Sequence, residues 1–137
     1  MNVQRSIFLL IIASAGILLS SCKKYEEGPA LSLRTKTARL ANEWRYDKVI
    51  SSSGNVVTSS YENLTITFQT NGVYKRTVTT QQTTTTTNGK WEFEEGKEKV
   101  KITYTNGDVN TLIIRKLKSK EFWYEDDDYS FYCEPAK

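Results

Sequence analysis

"NGKWEFEEGKEKVKITYTNG", from Asn88 to Gly107, decides the fold. Trp91 and Phe93 alternate with Lys90, Glu92 and Glu94, and Val100, Ile102 and Tyr104 alternate with Lys101 and Thr103. A period of two, apolar on one side and charged on the other, is the pattern of a strand with one face buried and one wet. Glu95-Gly96-Lys97 separates the two runs as a turn, and an Asn-Gly pair stands at each end. Asn-Gly supplies the positive φ angles that tight turns require. Two such strands with no helical segment between them make an antiparallel hairpin.

The same rhythm extends in both directions. Trp44, Tyr46 and Lys48 alternate with Arg45, Asp47 and Val49, and Leu64, Ile66 and Phe68 with Thr65, Thr67 and Gln69. Ser53-Gly54-Asn55, Asn71-Gly72 and Asp126-Asp127-Asp128 add turns, and no proline interrupts the strand region before Pro135. Strands are expected at 43–50, 61–69, 72–80, 84–94, 98–105, 108–117, 120–125 and 129–134. The fold expected is all-β: an antiparallel up-and-down meander of about eight strands closed as a small barrel. Before it, Leu33, Ala38 and Leu40 share a face within "LSLRTKTARLA", which predicts a short N-terminal helix or turn. The barrel domain is expected to span 31–137.

The N-terminus has a different character. A basic start with Arg5, an apolar run from Ile7 to Leu19 and small Ser20 and Ser21 form the pattern of a secretory signal peptide over 1–21. The run is shorter than the roughly 18 residues a spanning helix needs. Leu19-Ser20-Ser21-Cys22 resembles the lipobox of bacterial lipoproteins. The resemblance implies cleavage before Cys22, a thioether-linked diacylglycerol on its sulfur and an acyl chain, such as palmitate, on its new amine. Residues 22–30 are then a lipidated tether. No Asp follows the cysteine, so the implied address is the outer membrane, facing the periplasm or the cell surface.

Composition excludes several classes. The chain has 19 basic and 16 acidic side chains, a formal net charge of +3. That balance, without an aromatic–basic motif, does not suit nucleic acid. There is no histidine, which removes the commonest acid–base group and the commonest metal ligand. The expectation is therefore no enzyme, no cofactor and no metal. Glu125-Asp126-Asp127-Asp128 clusters carboxylates as calcium prefers, but without EF-hand spacing it reads as a solvated turn. Cys133, in phase with Phe131, reads as a buried, inert thiol. "TVTTQQTTTTT", Thr77 to Thr87, has strand propensity and almost no apolar side chain. It reads as an exposed hairpin tip, or as a polar flap or hydroxyl-rich surface at the barrel mouth.

On these residues the chain resembles the small lipocalin-like lipoproteins of Gram-negative bacteria. Lipocalins open their first strand with Gly-x-Trp, answered here by Asn42-Glu43-Trp44 with Asn in place of Gly, and a true Gly-x-Trp follows later as Gly89-Lys90-Trp91. The resemblance implies that Trp44 plugs the closed end of the barrel. It also implies a late Arg stacked on that Trp, a part open to Arg115. The expected function is non-catalytic binding of a small apolar or amphipathic ligand. Trp44, Phe68, Trp91 and Tyr104 are its expected inner aromatics. Arg76 and Arg115 are candidates to hold a carboxylate if their faces point inward. The alternative is a filled barrel that docks an envelope protein or a glycan through the Thr-rich hairpin or through exposed aromatics near Tyr124 and Tyr132.

Overall fold

A computed structural model describes residues 26–27 and 33–137. The expected signal peptide, Cys22 and most of the expected tether lie outside the described residues.

Eight strands form a closed antiparallel barrel: β2 (Glu43–Ser51), β3 (Leu64–Phe68), β4 (Val73–Thr79), β5 (Thr84–Glu94), β6 (Lys99–Tyr104), β7 (Val109–Leu117), β8 (Phe122–Glu125) and β9 (Tyr129–Pro135). Each pairs with its neighbours in sequence, and β9 pairs back onto β2 to close the ring. This is the up-and-down meander expected from the alternation. A two-residue β1 (Glu26–Glu27) runs parallel to β7 opposite Lys116 and Leu117.

The helix α1 (Lys36–Leu40) exists as expected, with Thr35 as N-cap accepting from the Ala38 amide at 3.1 Å. Such a cap satisfies one of the amides a helix start leaves unpaired. The helix sits beside the start of β2, where the Trp44 indole N–H donates to the Leu40 carbonyl at 2.9 Å.

Asn71-Gly72 and Asn106-Gly107 make turns, with φ of 83° at Gly72 and 93° at Gly107. In both, the Asn side chain accepts from the amide two residues on. Asn88-Gly89 does not turn, contrary to its composition. It lies inside β5, where Gly89 pairs with Tyr74 on one side and Tyr104 on the other. A Cβ on Gly89 would stand 2.7 Å from the Thr103 carbonyl oxygen. Glycine is needed there for close approach to the β6 backbone, and the rings of Tyr74 and Tyr104 meet across it at 5.8 Å.

Two β-bulges correct the strict alternation. One falls between Tyr46 and Lys48 opposite β9, so Val49 rather than Lys48 follows Trp44 and Tyr46 inward. The second falls between Ile114 and Lys116 opposite β8. The inner face of β7 is therefore Leu112, Ile114 and Leu117, not the face of Val109, Thr111 and Ile113. A bulge inserts one residue and sharpens the twist, which helps a sheet curl into a barrel.

The core runs through the barrel axis. Trp44, Phe68, Val100, Ile102, Ile114, Leu117 and Phe122 are fully buried. At the end nearest α1, Phe68 packs edge-on to Trp91 and Phe122, with ring centres at 5.7 and 5.8 Å. Trp44 lies 5.6 Å from Phe122. These packed rings cap this end of the barrel. The strand-joining segments at the opposite end, around 52–63, 80–83, 105–108 and 126–128, surround the mouth.

Candidate functional site

The mouth holds a cavity of about 160 Å³ whose polar groups converge from many strands. Tyr46 comes from β2, Tyr74 and Arg76 from β4, Tyr104 from β6, Asn110 from β7 and Tyr124 from β8. Ile102, Leu112 and Phe131 form its apolar wall. Tyr61 leans in from a 3-10 turn, Thr58–Tyr61, that the sequence reading assigned partly to a strand. Its ring packs on Tyr46 at 5.2 Å and on Phe131 at 5.6 Å. Asp126 completes the rim, and its Oδ1 accepts from the amides of Asp128 and Tyr129.

The floor of this cavity is a hydrogen bond between the phenols of Tyr46 and Tyr124, 3.0 Å apart and buried. Burial pushes both phenols well up from their ordinary value, and the Arg76 charge opposes this only weakly at Tyr46. Tyr74 is raised chiefly by burial too. A raised phenol stays neutral and keeps its proton to donate. The site therefore presents neutral hydroxyls, aromatic faces, one guanidinium and, at the rim, the Asp126 carboxylate. A guanidinium offers a planar fork of donors suited to a carboxylate.

The structure sorts the sequence candidates into three places. Arg76 and Tyr104 line the cavity. Trp44, Phe68 and Trp91 lie in the packed closed end. Arg115 does not face inward: its Nε and Nη2 bind Glu125 Oε2 on the outer wall at 2.8 and 2.7 Å, and its side chain is 50% exposed. The face assigned from strict alternation is reversed at this position, because Leu112 and Ile114 take the interior. Arg115 points away from the space that holds Trp44. Cys133 is buried, and burial pushes its thiol up, so it is a packed side chain.

Sequence reasoning missed Tyr46, Tyr61, Asn110, Tyr124 and Asp126 as parts of one site. Tyr46 was in phase with Trp44, and that signal pointed inward. Nothing local announced Tyr61, whose position depends on a 3-10 turn tied to β2 where the Thr58 hydroxyl accepts from the Val49 amide. A larger concavity, about 450 Å³, lies outside the barrel beside Asn71, Gly72 and Lys90. Its Lys101 is shared between Glu92 and Glu94 at 3.5 and 3.6 Å, so its charge is already met.

Comparison with solved structures places this geometry in a class. The fold matches a lipocalin-like protein from Bacteroides uniformis with a TM-score of 0.62 at 13% identity, over 71% of this chain and 98% of that one. It matches an uncharacterized protein from Bacteroides eggerthii with a TM-score of 0.61 at 10% identity, over 70% and 98%. The barrel is thus lipocalin-like in fold. No protein-family model and no curated protein matches the sequence.

Proposed function

We infer that this chain is a lipid-anchored envelope lipoprotein whose barrel binds a small amphipathic molecule without transforming it. The observation that carries the binding reading is the convergence of Arg76 with the phenols of Tyr46, Tyr74, Tyr104 and Tyr124 around a 160 Å³ cavity. Pockets for drug-sized ligands run from about 300 Å³ upward. This one suits a compact ligand with an aromatic or short aliphatic body and an anionic group, not a long acyl chain. The buried rings of Trp44, Phe68, Trp91 and Phe122 stand in the path such a chain would take. The body stacks on tyrosine faces and the anion meets Arg76. The anchoring reading rests on the apolar leader and on Leu19-Ser20-Ser21-Cys22, and it puts the barrel at the outer membrane.

The test is native mass spectrometry of the protein purified from a bacterial host. The expected result is a reproducible added mass that leaves on denaturation. Arg76→Gln weakens its retention roughly 10- to 100-fold, the range for losing a hydrogen bond to a charged group. Arg115→Gln, on the outer wall, leaves it unchanged. A bare protein, or an adduct indifferent to Arg76→Gln, refutes the binding reading. The anchor is tested separately: Cys22→Ala releases the protein from the membrane fraction, and a variant that stays fully membrane-bound refutes it.

A further inference from the structure

The β4–β5 hairpin outruns its neighbour. β5 pairs with β6 from Gly89 to Glu94, and the last bond on that side joins the Thr105 amide to the Asn88 carbonyl at 3.2 Å. On the other side β5 pairs with β4 as far as Thr84, opposite Thr79. The Trp91 amide donates to Gly72, on the β4 side. Successive residues of a strand turn their peptide groups to opposite edges, so Thr85 and Thr87 face β4. Thr84 and Thr86 face the edge that β6 has left. Among the described residues no strand lies beside them there.

Of the usual protections this edge has only its shortness. Natural edges carry lysine, proline, a bulge or extreme shortness, because an open row of N–H and C=O groups pairs with any strand that arrives. From Thr77 to Thr87 there is no charge and no proline. Thr83–Asn88 are exposed throughout, and threonine favours strands.

We propose that the Thr84–Thr86 edge of β5 pairs antiparallel with the same edge of a second copy of this chain. A register centred on Thr85 places Thr84 opposite Thr86 of the partner subunit, and the reverse, giving four backbone N–H···O bonds. The arrangement is isologous, so each group meets its own complement. It brings no like charges together, which a charged edge would do. An unrelated peptide is a poorer occupant. Strand-addition sites draw specificity from side-chain pockets beside the edge, and here threonines line both faces. Among the described residues barrel closure pairs the other long edges, so assembly stops at two. Four bonds fall short of the roughly 1,000 Å² of a stable interface, so the pair forms at high local concentration and is best trapped covalently.

Thr85 supplies the trap. It lies on the two-fold axis at a non-hydrogen-bonded position, where opposed Cα atoms stand about 4.5 Å apart, within disulfide range. The full chain carrying Thr85→Cys is expressed in bacterial membranes, treated with diamide as oxidant and run without reductant. The expected result is a species of twice the mass that reductant reverses. Thr87→Cys, equally exposed but about 13 Å from its counterpart in this register, gives none, and neither does the wild type. Adding Thr86→Pro to Thr85→Cys abolishes the species, because it removes an edge N–H that faces away from β4. No doubled species, an equal yield from Thr87→Cys, survival with Thr86→Pro, or linkage to a different protein overturns the proposal.

Discussion

The tyrosines show how one atom decides a residue's role. The phenols of Tyr46 and Tyr124 are buried and hydrogen-bonded to each other at 3.0 Å. Leaving one buried hydroxyl without its partner costs about 1–3 kcal/mol, whereas replacing both by apolar groups of similar shape is nearly neutral. Tyr46→Phe and Tyr124→Phe are therefore each expected to destabilise the barrel by about 1–3 kcal/mol. The double variant loses less than the sum. A double-mutant cycle by urea unfolding checks this, and strict additivity would show that the pair is not coupled. Trp44 follows the same logic. Its indole body fills the closed end against Phe122, while its N–H meets the Leu40 carbonyl. Phenylalanine supplies only the first of these, and for that reason the sequence spends a tryptophan beside α1.

At the scale of elements, the sequence was legible wherever one face is buried along a regular strand. Leu64, Ile66 and Phe68 occupy the inner face of β3, and Val100 and Ile102 that of β6, in the phase their alternation states. Legibility failed at bulges, because one inserted residue reverses every side chain beyond it. Lys48 was placed with Trp44 and Tyr46 for that reason, and Arg115 was read with Leu117, which the second bulge brings inward although Leu112 and Ile114 hold the interior before it. Asn88-Gly89 failed differently. Its composition says turn, yet the requirement at Gly89 comes from the Thr103 carbonyl on the neighbouring strand. That requirement is tertiary and leaves no local mark. The candidate site was half legible. Arg76 and Tyr104 carried a strand phase that points to the interior, but Tyr61 and Asp126 reach the mouth from segments outside the ladder. Glu95 and Lys97 flank Gly96 with positive φ, at 48° and 67°. The β5–β6 turn is thus left-handed at three residues in a row, more than its single glycine announces.

The whole molecule is graded along its axis, from a dry aromatic plug to a mouth of neutral phenols, and that grading fixes its response to alkali. Tyr46, Tyr74 and Tyr124 have folded-state pKa values raised above the ordinary 10.0, with burial as the largest cause in each. Cys133 is raised above 9.0, again chiefly by burial. A group raised in the folded state contributes stability that is fully present below its unfolded pKa and is lost as pH rises through the folded one. In the unfolded chain these groups deprotonate at about pH 9–10. Above that the unfolded state holds fewer protons than the folded one, and stability must fall. Each group removes roughly 1 kcal/mol per pH unit within this window. The urea midpoint is therefore expected to stay level from about pH 7 to about pH 9 and then to drop steeply. Lys99 on the surface is also raised, first by its hydrogen bond to Glu95, and adds an alkaline loss of its own. The double variant Tyr46→Phe, Tyr124→Phe separates the two sources. It removes two of the buried phenols and leaves every lysine, so its alkaline slope should be shallower than that of the unaltered chain. Equal slopes would place the alkaline loss on the surface and not in the barrel.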